Sequence, residues 1–181
     1  MPGDSVLNRL SIRDASEGDL AAVQGIYAHH VNHGLASFEE VPPDLAEITR
    51  RRDLAREHNL PYLVAEMDGA VQGFAYASLF RSRSAYRYTV EDSVYVAPDT
   101  LGSGIGSALL SAVIERCTER GFRQMIAVIG DSANQASIGL HAKHGFVQAG
   151  SMTAVGFKFG RWVDSVRMQR PLGDGDKTLP E

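Results

Sequence analysis

Val94-Tyr95-Val96-Ala97-Pro98-Asp99-Thr100-Leu101-Gly102-Ser103-Gly104-Ile105-Gly106-Ser107-Ala108-Leu109-Leu110 carries a β-branched run into a Pro-Asp turn, a glycine-rich loop and an apolar helix. A helix that starts this way leaves its first backbone N–H groups without intrahelical partners. Its dipole adds partial positive charge at the same place, so the turn suits a phosphate or pyrophosphate. Gly102, Gly104 and Gly106 lack Cβ atoms and let a bulky anion approach the backbone closely. The spacing is not the dinucleotide fingerprint G-x-G-x-x-G/A, because the third position falls on Ser107 or Leu109. It is not a Walker loop either, since the chain has no Gly-Lys pair.

Outward from this loop, the chain of 181 residues suits a single domain, and a hydrophobic content of 44% is enough for a sizeable core. A net charge of -4 gives no electrostatic case for nucleic acid or an anionic membrane. The one basic run, Arg50-Arg51-Arg52, has Glu47, Asp53 and Glu57 nearby and reads as a solvated helix face. The single cysteine, Cys117, continues the spacing Leu109, Leu110, Val113, Ile114 and reads as a packing residue in a reducing compartment. Asp4 and Arg9 with no apolar stretch argue against a signal peptide, and no run of about 18 apolar residues offers a membrane span. A cytoplasmic protein is expected.

The patterning predicts a strand at Leu10–Arg13, a helix capped at Ser16 and ending near His33-Gly34, and a helix opened by Pro42-Pro43-Asp44 and running to about Glu57. Strands Tyr62–Glu66 and Val71–Leu79 flank an Asp68-Gly69 hairpin turn. Arg81 to Tyr88 reads as an exposed loop or a strand continuation, and Thr89–Val96 as the strand leading into the glycine loop. A helix over Ser103–Arg120, a strand over Gln124–Ile129, a helix from Asn134 through Lys143, and strands Val147–Met152 and Val163–Met168 complete the series. The order β-α-α-β-β-β-α-β-α-β-β predicts an α/β protein with a mixed, mostly antiparallel sheet and helices on both faces. The expected organisation is a flexible arm over 1–9, one domain over 10–170 and a flexible tail over 171–181.

With this order, the loop G-x-G-x-G resembles the pyrophosphate loop of the GNAT superfamily of acetyl-CoA-dependent N-acetyltransferases. Four segments sharpen the resemblance toward the phosphinothricin and methionine sulfoximine N-acetyltransferase branch: Thr89–Val96, Arg81-Ser82-Arg83-Ser84-Ala85-Tyr86, Asn134 through Leu140-His141-Ala142-Lys143-His144-Gly145-Phe146, and Lys158-Phe159-Gly160-Arg161-Trp162-Val163-Asp164. It covers the chain from about Leu10 to Met168. Two positions depart from the superfamily's habit. Leu101 stands where Gln or Arg usually heads the loop, and His141 stands where a tyrosine acid is common, although a histidine is what this branch places there.

The resemblance implies acetyl-CoA as co-substrate, with the backbone of Val94, Tyr95 and Val96 along its pantetheine arm and Leu101, Gly102, Ser103, Gly104, Ile105, Gly106 and Ser107 around its pyrophosphate. Asn134 resembles the asparagine that contacts the pantetheine, and equally fits a plain helix N-cap. Acetyl transfer needs a neutral amine, and even a peptide α-amino group titrates at about 7.7–8.0, so a base is required. The resemblance assigns that role to Glu91. Alternation shows only that Glu91 shares a face with Ser93 and Tyr95, opposite Val90, Asp92, Val94 and Val96. His141 is the second candidate, as substrate ligand or proton shuttle. Arg81, Arg83 and Tyr86 match positions that hold an acidic substrate group, and Phe38 resembles a pocket wall. His29, His30 and His33 lack the companion ligands of a metal site, so none is expected. The reading is an N-acetyltransferase for small amino-acid-like amines such as phosphinothricin or methionine sulfoximine, expected as a homodimer. Its rivals are another amine acceptor (a polyamine, an aminoglycoside or a protein N-terminus) and a non-catalytic acyl-CoA-binding module.

Overall fold

The computed structural model describes residues 10–180, so the arm expected over 1–9 lies outside the described residues. Seven strands form one sheet: β1 (Leu10–Asp14), β2 (Tyr62–Met67), β3 (Ala70–Leu79), β4 (Thr89–Val96), β5 (Gln124–Gly130), β6 (Val147–Lys158) and β7 (Arg161–Pro171). Their spatial order is β1-β2-β3-β4-β5-β7-β6, and only the β4–β5 pair is parallel. Helices α1 (Leu20–His33) and α2 (Leu45–Glu57) cover one face, and α3 (Ile105–Glu119) and α4 (Gln135–Lys143) the other. This is the mixed, mostly antiparallel sheet that the element order predicts.

Local chemistry sets the turns. Asp19 closes the β1–α1 corner, accepting from the Ser16 backbone N–H and hydroxyl at 2.7 Å each and from Arg13 Nη1 at 2.7 Å. The Arg13 guanidinium holds that carboxyl well below the usual range. Asp44 caps α2 by accepting from Glu47 N at 2.8 Å. Asp68 and Gly69 both have positive φ, 53° and 79°, as a two-residue hairpin loop between β2 and β3 requires. Gly73 lets α3 lie close on the sheet, because a Cβ there would come within 3.2 Å of Ile105 and Leu109 and 2.9 Å of the Tyr95 carbonyl.

Each face has its own core. Under α1 and α2 the rings of Tyr62, Phe74, Tyr76 and Tyr95 stack along the sheet, and Tyr27 meets Tyr95 edge-on at 4.9 Å. Under α3 lie Ile105, Leu109, Leu110, Val113 and Cys117, all buried. Burial pushes the Cys117 thiol up to about 12, so it packs as a thiol.

Three details differ from the expectation. β6 does not stop at Met152 but runs to Lys158, where Phe159 (φ 52°) and Gly160 (φ 73°) turn it into β7. Register breaks between Gln148 and Gly150 and between Met152 and Gly156 scramble its alternation, which hides a strand from period-two reading. Arg52 does not join a solvated face; it is 3% exposed and pairs with Asp53 at 2.6 Å. Residues 172–180, a tail by composition, form turns in which Arg123 donates to the Gly175 and Leu179 carbonyls and to Thr178.

Candidate active site

β4 and β5 pair only from Thr89–Gln124 to Asp92–Ala127. Beyond that rung β4 stays with β3 and β5 stays with β7, and the sheet forks. Ala97 N donates to Gln72 O at 2.8 Å and Phe80 N to Thr89 O at 3.3 Å, so the odd-numbered residues of β4 direct their backbone groups at β3. The even-numbered residues direct theirs the other way. Val94 and Val96 therefore face the fork, where β5 offers them nothing. One of these groups is satisfied by a side chain: His30 Nε2 lies 2.8 Å from Val96 O. A carbonyl only accepts, so Nε2 carries the proton, and burial holds His30 below its ordinary value. The Val94 N–H, the Val94 carbonyl and the Val96 N–H remain for a ligand.

The fork opens into a cleft of about 800 Å³. Val94, Tyr95, Val96, Leu101, Gly102, Gly104, Ile105, Gly106, Ser107, Asn134 and His141 line it. Ser103 does not; its hydroxyl donates back to the Thr100 carbonyl at 2.5 Å. Gly102 (φ 80°) and Gly104 (φ 89°) have left-handed backbone, and Gly104 is the N-cap of α3. A Cβ on Gly106 would sit among Val94, Val96 and Leu140 at 3.5–4.0 Å, inside the space the cleft leaves free. Open strand amides beside a bare helix N-terminus form a cradle for an amide-bearing arm ending in a pyrophosphate. Asn134 caps α4, its Oδ1 accepting from Ser137 N at 3.1 Å, and leaves its Nδ2 hydrogens free beside the cleft. Ser107 is tied to α4 by a 2.7 Å hydrogen bond to His144 Nε2.

The two acid–base candidates stand on opposite faces of the sheet. His141, 5% exposed, packs from α4 against β4, with Nε2 2.9 Å from Asp92 Oδ2 and Nδ1 2.8 Å from the Ser137 carbonyl. Burial alone would lower its proton affinity, but the Asp92 carboxylate and the Ser137 carbonyl reverse that, and the net shift is upward. Glu91 lies half-buried on the α1/α2 face, and no protein group hydrogen-bonds its carboxylate among the described residues. Burial first, then the charge of Asp92, raises it above its ordinary value; Arg167 and Arg81 oppose that rise.

On the acceptor side the expected residues are spread out. Arg81, Arg83 and Tyr86 occupy the exposed loop after β3, with the Arg81 guanidinium 5.1 Å over Phe80 and Phe80 edge-on to Tyr86 at 5.6 Å. Phe38 lies between α1 and α2 with its ring against Gly130 and Gly156, where a Cβ on either would collide with it. That connection is pinned by Lys158, 2% exposed, whose Nζ donates to the Gly34 and Ser37 carbonyls at 2.9 and 2.7 Å. Asp92 is not among the residues the sequence points to, and His30 is weighed there only as a metal ligand. The signal for Asp92 was an acid in the apolar half of an alternating strand, a slot that needs a buried partner. For His30 no local signal existed, since its partner is a backbone carbonyl 66 residues away.

The sequence pattern of the Acetyltransferase (GNAT) family matches residues 26–146. The chain belongs to this family: it is an N-acetyltransferase, and acetyl-CoA is its co-substrate. Among its relatives is a phosphinothricin N-acetyltransferase of Alcaligenes faecalis, 58% identical over 171 residues, covering 94% of this chain and 87% of that one. An L-methionine sulfoximine/L-methionine sulfone acetyltransferase of Pseudomonas aeruginosa is 44% identical, covering 94% and 98%. The crystal structure of a GNAT superfamily phosphinothricin acetyltransferase from Sinorhizobium meliloti in complex with AcCoA superposes with a TM-score of 0.93 at 50% identity, over 96% of this chain and 94% of that one.

Proposed function

We propose that this enzyme acetylates the amino group of small amino-acid-like acceptors of the phosphinothricin and methionine sulfoximine class, by direct transfer with Glu91 as general base. The observation that carries this reading is the placement of a hydrogen-bond-free carboxylate, Glu91, on the strand whose backbone opens into the cofactor cleft. Similarity to enzymes named for those acceptors supports it. The thioester supplies the acetyl group. Glu91, directly or through water, takes the proton that the ammonium must lose. The amine nitrogen bonds to the thioester carbonyl carbon, with the Val94 N–H free to stabilise the developing oxyanion. As the C–S bond breaks, the sulfur leaves with the nitrogen's second proton as the coenzyme A thiol. His141, paired with Asp92 on the opposite face of the sheet, is the second acid–base candidate, as substrate ligand or proton shuttle. Arg81, Arg83 and Tyr86 hold the acceptor's distal acidic group, with Phe38 as a wall; arginine forks suit phosphinate and sulfoximine oxygens. A polycationic acceptor would instead want an acidic pocket.

The working unit of this reading is a homodimer. β6 is an edge strand, and the hairpin it forms with β7 exposes Val155, Phe157, Phe159 and Trp162 together. An edge with this much apolar surface suits a self-complementary contact with a second copy. Among the described residues no helix is long and apolar enough to cross a membrane.

Thiol release from acetyl-CoA, measured over a panel of amines, tests the function. Phosphinothricin, methionine sulfoximine and methionine sulfone are expected to stimulate it; spermidine, an aminoglycoside and an N-terminal peptide are not. Stimulation by one of the latter group alone would move the acceptor class. Binding of coenzyme A with no stimulation by any amine would leave only the acyl-CoA-binding module.

A further inference from the structure

Arg167, on β7, has no role in what precedes. The register places it on the face of the sheet that carries Glu91: Glu91 is opposite Ile126 across the parallel pair, and Val128, two residues along, is opposite Arg167. Its charge reaches Glu91, as does that of Arg81. Its own hydrogen bonding is poor. Among the described residues Nε is buried without a partner, and Nη1 donates only to the Met152 sulfur at 3.3 Å, a weak acceptor. Among the described residues no carboxylate pairs with it. A guanidinium stays charged, and withdrawing one from water without an anion is costly, so this fork has unused capacity for one.

We infer that Arg167 is the binding site for the acceptor's α-carboxylate. This rests on the reading of the acceptor as amino-acid-like. In such a molecule the amine and the carboxylate share one carbon. An amine placed within reach of Glu91 therefore brings a second carboxylate close to that of Glu91, and the two repel unless a cation takes the newcomer. Two arginines act on Glu91. Arg81 lies on the exposed loop, stacked on Phe80, within reach of a group at the far end of a side chain. Arg167 is rooted in the sheet between β5 and β6, with its Nε already out of water. The fixed near site reads the carboxylate that every α-amino acid has; the loop reads the distal group that distinguishes one acceptor from another. A planar fork can engage a carboxylate through two parallel bonds, which would also orient the amine.

The test compares matched acceptors with and without the carboxylate: phosphinothricin against (3-aminopropyl)methylphosphinate, and methionine sulfone against 3-(methylsulfonyl)propylamine. The wild type is expected to prefer the carboxylated member of each pair in kcat/KM by about 10- to 100-fold, the range of a charge-assisted hydrogen bond. In Arg167→Gln that preference collapses to within a few-fold, through a higher KM for the carboxylated member alone. Calorimetric affinity for coenzyme A stays unchanged. Arg167→Lys keeps the charge without the fork and is expected to retain part of the preference; it decides the matter should the Gln variant not fold. Equal losses on both members of a pair, or an unchanged preference in the Gln variant or, should that not fold, in the Lys variant, would overturn the inference. So would a wild type that acetylates both members alike. A wild type that binds coenzyme A and acetylates none of the four overturns the functional reading, and this inference with it.

Discussion

His141 and Asp92 meet across the α4–β4 contact at 2.9 Å while the other ring nitrogen of His141 lies 2.8 Å from the Ser137 carbonyl. Two acceptors face the two nitrogens, and a neutral imidazole has only one N–H to give. The arrangement is satisfied when the ring is doubly protonated. Burial opposes that state, but the Asp92 carboxylate and the Ser137 carbonyl outweigh it and the net shift of His141 is upward, while the adjacent His144 is held below its ordinary value first by burial and then by the charges of Lys143, His141 and Arg170. A raised value in the folded state stabilises fully below about 6.5 and stops doing so as pH rises through the raised value. Asp92→Asn is therefore expected to cost about 1.5–3 kcal/mol at pH 6, with a smaller cost at pH 9.5. Urea unfolding at the two pH values checks this, and a cost that grows with pH would contradict it.

As the proposed base, Glu91 must be ionised to take a proton. Its value in the fold is raised, so kcat/KM is expected to fall as pH drops through a point above the ordinary value of 4.5. Glu91→Gln should lower kcat by about 10²–10⁴ while calorimetry finds coenzyme A bound as before. A Gln variant of near-normal rate would remove Glu91 from the chemistry.

Two glycines of the proposed phosphate loop should separate folding from binding. Gly104 has φ 89°, so Gly104→Ala is expected to lose about 1–2 kcal/mol of stability and to bind coenzyme A more weakly. Gly106 is in the first turn of α3, where the new methyl would make only ordinary contacts. Gly106→Ala should raise stability by up to about 1 kcal/mol and still weaken coenzyme A, because the methyl takes room from the cleft. Thermal melting with calorimetry distinguishes the two; a Gly106→Ala protein of unchanged affinity would place the ligand elsewhere.

The Phe157 and Trp162 rings meet edge-on at 5.1 Å and are 57% and 66% exposed in the single chain. Trp162→Glu is expected to shift sedimentation from dimer to monomer at micromolar concentration. A wild type that sediments as a monomer throughout would refute the dimer.

How much of this was legible depended on whether the cause was local. The hairpin at Asp68-Gly69 and the cap at Asp44 were readable because a turn residue and its backbone partner lie within a few positions. So was the turn from β4 into α3, where Gly102 and Gly104 take the left-handed backbone that glycine allows. Alternation in β4 correctly separated Glu91 from Asp92, yet it could not show that α4 would bring His141 to the same side as Asp92. The length of β6 was hidden by its two register breaks, and Arg167 looked like any outward residue of a strand. What escaped were pairings across dozens of residues, which no window along the chain contains.

Lys158 donates to carbonyls 124 and 121 residues earlier in the chain. The connection that carries Phe38 thus gains these two hydrogen bonds only once β6 has been synthesised, and closing a loop of that length costs conformational entropy. The residue proposed as a pocket wall is therefore held by a side chain from the far end of the sequence. A chain cut short before β6 would lack both the lysine that pins this connection and the interior strand β7 that completes the sheet beside β5.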